Sequence, residues 1–311
     1  MNDQGNNSLI LSGGHEDLNA IIKIVSDGLT SEHSRRAYSK ALSDFLEWYK
    51  LEGKPGFNKA TVNKYKLALQ EEGLSPSTIN QRMSAIRRLA QEAVDNGLVD
   101  QVLANGISNV KGVKSQGVRT GKWLTKEQAQ ELITLPSETA LKGSRDRAIL
   151  AVMVGAGLRR SEVITLRFEQ IQMRENRWVI VDIKGKGNKI RSIPIPAWTK
   201  TAIDEWAGKA NISTGNVFRP VNRGGNAHGD SITPQAVRDV VNHYGNLMGI
   251  ELAAHDLRRT YAKLAYRGGS GLDQIQLSLG HSSIQTTERY LGVAQDLTDA
   301  PCDHLGIKID N

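Results

Sequence analysis

WVIVDIKGKGNKIRSIPIP, residues 178–196, is the stretch at which the chain changes periodicity. Apolar and polar residues alternate, β-branched side chains are frequent, and GKGN at 185–188 separates two such runs, which predicts a β-hairpin. Its surroundings read as helix. Upstream, SRDRAILAVMVGAG (144–157) predicts an amphipathic to buried helix that stops at glycine, followed by LRRSEVITL (158–166). Earlier still, Thr125 and Gln128 form a capping-box pair for another helix. Downstream, helical spacing covers 197–208, 233–248, 255–267, 272–279 and 283–291. The expected fold class is therefore mainly α with a small antiparallel β-sheet.

The first third is helical too. Leu18, Ile21, Ile22, Val25 and Leu29 recur at helical spacing, and SEHSRRAYSKALSDFLEWYK (31–50) carries Ala37, Leu42, Phe45, Leu46 and Tyr49 on one side. NKATVNKYKLALQEEG (58–73) follows. SPSTINQRMSAIRRLAQEAVDNG (75–97) then opens with Ser75 as N-cap and Pro76 at the first helical position, and it ends on Gly97. Its apolar stripe is Ile79, Met83, Ile86, Leu89 and Ala93. These four patterns predict a small bundle. Its basic residues Arg35, Arg36, Arg82, Arg87 and Arg88 cluster in two helices, as a solvated charged face or as candidate contacts for a polyanion.

KGVKSQGVRTGK (111–122) has three glycines and four basic residues with no acid, a composition that cannot bury enough apolar surface to offset ordering entropy. It divides the chain into an N-terminal helical domain at 1–112, a linker at 113–122 and a second domain at 123–311. Two domains also suit 311 residues. The formal charge of +7 favours a polyanionic partner. Cys302, the one cysteine, excludes an intramolecular disulfide and points to a reducing cytoplasm. MNDQGNNSLI lacks the features of a secretory signal, and AILAVMVGAGL (148–158) is about half a membrane span, so no membrane partner is expected. The remaining histidines, His15, His33, His228, His243 and His304, have no metal-ligand spacing, and no metal is expected.

HDLRRTYAKLAYRGG (255–269) places His255 and Arg258 at i and i+3 on one helical face, while Leu257, Tyr261 and Leu264 cover another. Such a face suits an anion. AGLRRSEVITL (156–166), KGKGNKIRSIPI (184–195), HDLRRTYA (255–262) and LGHSSIQTTERYL (279–291) occur in the order, and at about the spacings, of the tyrosine recombinase (phage integrase) family. The chain resembles that family's catalytic domain from about 123 to 295. SEHSRRAYSKALSDFLEWY (31–49) and SPSTINQRMSAIRRL (75–89) are similar to its N-terminal core-binding domain.

The resemblance implies a helical core-binding domain plus a tyrosine-recombinase catalytic domain that close on duplex DNA like a clamp. It makes Arg159 the first active-site arginine, Lys186 the hairpin lysine, His255 and Arg258 the His-x-x-Arg pair, His281 the later histidine and Tyr290 the nucleophile. Lys184 and Lys189 flank the same turn as Lys186. Glu162 matches the acidic position of the first motif, where it would orient an arginine or His255. Arg160 stands where the family usually has an apolar residue. Adjacent helical residues point about 100° apart, so only one of Arg159 and Arg160 can face the phosphate; the resemblance favours Arg159, and likewise Arg258 over Arg259. Arg160 and Arg259 are then candidate backbone contacts.

Attack of a tyrosine on a phosphodiester stores the bond energy in a 3′-phosphotyrosyl ester, so religation needs no cofactor. Two guanidinium forks match the non-bridging oxygens, and a lysine on a hairpin tip serves as general acid to the 5′ oxygen. The implied partners are double-stranded DNA and a homotetramer on two DNA sites, exchanging strands through a Holliday junction. The tail LTDAPCDHLGIKID (297–310) would dock onto a neighbouring subunit. Two rivals remain open at the level of sequence. One is a monomeric, type IB topoisomerase-like relaxing enzyme, and the other is a DNA-binding regulator without turnover.

Overall fold

The computed structural model describes residues 22–29, 31–97, 99–114, 122–185, 189–281 and 283–291, and gives only the backbone of His33, Arg289 and Tyr290. The chain forms two compact units, Met1–Val118 and Arg119–Asn311.

In the first unit a helical segment at 22–27 is followed by α1 (Glu32–Leu51), α2 (Lys59–Glu71), α3 (Pro76–Asp95) and α4 (Gln101–Ser108). Each start is fixed by a side-chain oxygen on an otherwise unpaired backbone N–H. Ser31 accepts from Ser34, Asn58 from Ala60 and Thr61, Ser75 from Thr78, and Asp100 from Leu103. The α3 stripe Ile79, Met83, Ile86, Leu89 and Ala93 is buried as its spacing predicts. It faces Leu42, Phe45 and Leu46 of α1, and Phe45 meets the rings of Phe57 and Tyr65 at 5.9 and 5.1 Å. Leu18 and Ile21 lie outside the described residues. Helix α4 was not foreseen: its inward stripe amounts to Ala104 and Ile107, too little for periodicity to register.

The second unit is built on α6 (Leu141–Gly155), which follows α5 (Lys126–Thr134) and is buried from Gly143 to Gly155 except at Arg147. Around it lie α7 (Arg160–Thr165), α8 (Ala197–Ala210), α9 (Pro234–Leu247), α10 (Ala254–Arg267), α11 (Leu272–Leu279) and α12 (Ile284–Leu291). The expected hairpin is β2 (Arg177–Lys184) and β3 (Ile190–Pro194), antiparallel, with Ile180 opposite Ile193. A third strand, β1 (Ile171–Arg174), completes a sheet of order β1-β2-β3. The fold class is thus mainly α with a small antiparallel sheet. Strand β1 escaped notice because it has only four residues, and its turn to β2 uses Glu175 and Asn176, both left-handed, without the glycine that marks such turns.

Helix α6 also carries the fully buried Asp146, which accepts from Arg145 at 2.7 Å and from Lys142 at 2.9 Å. Burial, together with the Asp146 carboxylate beside it, pushes the Tyr244 hydroxyl up to about 12. No described helix is long and apolar enough to cross a membrane.

One glycine decides how α6 hands over to α7. Gly157 has φ of +60°, and a Cβ there would lie 2.6 Å from Cδ1 of Tyr261. A left-handed L-residue and a ring overlap together should make Gly157→Ala cost about 3 kcal/mol, or roughly 6–12 °C in the unfolding midpoint of a unit this size. Thermal unfolding followed by circular dichroism checks this. An unchanged midpoint would mean that Tyr261 moves aside without penalty.

Candidate active site

Three segments meet at one carboxylate. Glu162 sits in the first turn of α7 and is 4% exposed. It accepts from the Arg159 backbone N–H at 2.8 Å and from Arg159 Nη1 at 2.8 Å. From β3, Arg191 reaches the same carboxylate with both forks, Nη1 to Oε1 at 2.9 Å and Nη2 to Oε2 at 2.8 Å. From α10, Arg258 Nη1 lies 3.9 Å from Oε2. Burial alone would raise the Glu162 carboxyl, but hydrogen bonds from Arg191 and Arg159 and the charges of both hold it below its ordinary value.

Arg258 is 1% exposed. Its Nη1 donates to the Gly157 carbonyl at 2.5 Å and its Nη2 to the Leu279 carbonyl. One guanidinium therefore ties the chain entering Arg159 to the chain entering His281, two stretches far apart in sequence. One turn before it, His255 is exposed at the start of α10, and its pKa is lowered by partial desolvation and by the charges of Arg259 and Arg258.

Helix α11 ends at Gly280, left-handed at φ +62°, and the reversal turns His281 back on the cluster. His281 Nδ1 lies 3.0 Å from Oγ1 of Thr287, and the His281 carbonyl accepts from Gln276 at 3.2 Å. Burial, then Arg258, Arg159, His255 and Arg191, pull the imidazole down to about 4. The surroundings therefore favour its neutral form near pH 7.

The hairpin closes over the same place. The Gly185 N–H donates to the Lys189 carbonyl at 2.8 Å, and a Cβ on Gly185 would lie 3.1 Å from Arg191 Nη1 and 3.5 Å from Arg159 Nη1. Lys186, next in the chain, lies outside the described residues. The backbone of Tyr290 belongs to α12, whose last carbonyl, at Leu291, accepts from Lys263 of α10. The Lys263 ammonium also sits 4.6 Å from the centre of the Trp123 ring.

The structure therefore brings Arg159, Glu162, His255, Arg258 and His281 into one neighbourhood. Arg160 is exposed on α7, and Arg259 pairs with Asp256 at 3.6 Å. In the first unit Arg35 is exposed, Arg36 pairs with Glu32, and Arg88 pairs with Glu92 at 2.6 Å. Arg82 is held by Asp44 at 2.8 Å and by the Tyr65 hydroxyl at 3.2 Å, and Arg87 by the Val110 carbonyl at 2.5 Å. Arg82 and Arg87 thus stitch helices of the bundle together. Among the described residues no cluster of three or more His, Cys, Asp or Glu could hold a metal.

Arg191 is the member that sequence reasoning missed. Its signal was present: on β3 it shares the phase of the buried Ile193 and Ile195, so an arginine points to the core face. A charge in that position requires a partner. Glu162 is that partner, and the Arg191 Nε donates to the Ser278 carbonyl at 2.8 Å, fastening the hairpin to the end of α11.

Comparison with known proteins places the chain in a family. A profile described as Phage integrase family matches residues 122–296, and one described as Phage integrase, N-terminal SAM-like domain, matches 22–97. The chain is 30% identical over 281 residues to a tyrosine recombinase XerD of Ralstonia nicotianae, covering 88% of this chain and 87% of that one. It is 28% identical over 275 residues to a tyrosine recombinase XerC of Thermodesulfovibrio yellowstonii, covering 85% and 86%. Among solved structures, a XerH site-specific recombinase bound to palindromic difH substrate in a post-cleavage complex matches with a TM-score of 0.66 at 22% identity, over 85% of this chain and 77% of that chain. At that identity the likeness speaks for the fold.

Proposed function

The chain belongs to the phage integrase family, and from that premise we propose that it is a site-specific DNA recombinase, an enzyme that cleaves and rejoins DNA strands. The Tyr290 phenolic oxygen attacks the scissile phosphorus; the P–O bond to tyrosine forms as the P–O5′ bond breaks, leaving a 3′-phosphotyrosyl ester. The phenol proton leaves through His255 or water, and Lys186 gives a proton to the departing 5′ oxygen. Arg159 and Arg258 stabilise charge on the non-bridging oxygens, and His281 adds a neutral donor. Attack by a 5′ hydroxyl from the partner duplex reverses the step and joins new strands, with no nucleotide cofactor and no metal.

The observation that carries this reading is the shared carboxylate: Glu162 gathers Arg159, Arg191 and Arg258 from three separate segments, and the two histidines border the same cluster. Backbone contacts from exposed lysines and arginines of both units supply most DNA affinity and make it salt-dependent. A duplex from the mapped recombination site, nicked beside the cleavage position, tests the reading. The full chain should form a denaturant-resistant protein–DNA adduct; intact binding without any adduct would make it a regulator.

We further propose that the protein works as a homotetramer on two DNA sites, through a Holliday junction, with residues 297–311 docking on a neighbouring subunit. That tail lies outside the described residues. Deleting it should reduce synaptic complexes more than single-site binding, as read by native gel shift. Equal yields of assembled complex would contradict the tail exchange.

A further inference from the structure

Thr287 is fully buried on α12, one helical turn before Tyr290, and its Oγ1 lies 3.0 Å from His281 Nδ1. Four other helical threonines of the second unit satisfy their hydroxyls locally. Thr134, Thr165, Thr201 and Thr260 each donate to the carbonyl four residues back, at 3.1, 3.2, 3.1 and 2.9 Å. Among the described residues, the hydroxyl of Thr287 has His281 Nδ1 as its one hydrogen-bond partner.

That restriction decides where protons sit. A neutral imidazole carries one N–H, and His281 is neutral because burial and the cations around it disfavour its charged form. If the proton were on Nδ1, it would donate to Thr287, and the threonine's own O–H would be buried with no acceptor. If Nδ1 is the bare nitrogen, the hydroxyl donates to it and no donor is stranded. An unmet buried donor is the costlier arrangement, so the second prevails.

We propose that Thr287 is a positioning residue that fixes His281 as its Nε2–H tautomer, aiming a neutral N–H at the scissile phosphate. The role in cleavage rests on the recombinase reading above; the tautomer itself does not. The same bond ties the helix of the nucleophile to the histidine, so Tyr290 and the Nε2–H donor are placed by one contact.

The test uses the full chain labelled with ¹⁵N at histidine. His281, assigned by difference against His281→Gln, should show a protonated Nε2 and a bare Nδ1 in nitrogen chemical shifts. Thr287→Val, which keeps the shape and removes the hydroxyl, should lose that preference and slow single-turnover cleavage of the nicked duplex roughly 10- to 100-fold at unchanged DNA binding. Thr287→Ser should restore both to within about threefold of the natural chain, a rescue that mere packing would not give, since serine lacks the methyl. A protonated Nδ1 in the natural chain overturns the proposal, as does Thr287→Val cleaving at the natural rate. The tautomer is read without any substitution, so poor folding of Thr287→Val does not blunt the test. The expected tautomer in a natural chain that binds DNA but forms no adduct would overturn the recombinase reading, and with it the role in cleavage, while the tautomer assignment stands.

Discussion

Replacing Arg258 with alanine is expected to slow strand cleavage by about 10²- to 10³-fold, the usual loss for one preorganised donor to a developing oxyanion. The same change should lower stability by about 3 kcal/mol, because the carbonyls of Gly157 and Leu279 and one flank of Glu162 lose a buried partner. Arg258→Lys separates the two effects. Lysine keeps the charge but has no planar fork to span both carbonyls, so much of the stability should return while cleavage stays slow. Single-turnover cleavage beside urea unfolding reads both. A lysine variant that cleaves like the natural chain would show that charge alone suffices.

Glu162→Gln should be the most destabilising polar change in the catalytic unit, at about 3–5 kcal/mol, because it leaves the guanidiniums of Arg159, Arg191 and Arg258 together without their carboxylate. The sign of the pH dependence follows from the shifted groups. The folded-state Glu162 binds its proton less readily than in the unfolded chain, so its contribution is complete above the unfolded value of about 4.3 and is lost as pH falls through the folded one. His281 acts in the same direction at higher pH. Its folded value near 4 lies below 6.5, so below that pH the unfolded chain takes up the proton first. Stability should therefore decline on acidification from pH 6.5, and Glu162→Gln should flatten only the part below about pH 5. A midpoint that is flat from pH 7 to 4 in the natural chain would contradict the burial of this cluster.

Much of this architecture was legible because local chemistry and global packing agree. The α3 stripe, the Ser75 and Thr125 caps and the β2–β3 hairpin all appear where spacing predicts them. The site was legible as four motifs but not as a shape, since nothing local in AGLRRSEVITL states that its glutamate will meet an arginine from α10 and another from β3. Glu162 illustrates the limit: a solvated carboxylate and a buried hub have the same one-letter code. Arg82 and Arg87 show the converse. They read as surface charge for a nucleic acid, yet Asp44, Tyr65 and the Val110 carbonyl hold them, because long basic side chains also serve as struts between helices. Arg191 was readable in principle, as a charge on the inward phase of a strand, but its hairpin drew attention to the lysines of the turn.

The proposed mechanism has residues from five separate elements converge on one phosphodiester with Tyr290 as nucleophile. Its most direct test is to trap the natural chain on a nicked duplex, digest the complex and locate the nucleotide-bearing peptide by mass spectrometry. A 3′-phosphonucleotide ester on residue 290 is expected, with no adduct from Tyr290→Phe at undiminished DNA binding. A nucleotide on any other residue, or an adduct surviving in Tyr290→Phe, would contradict it.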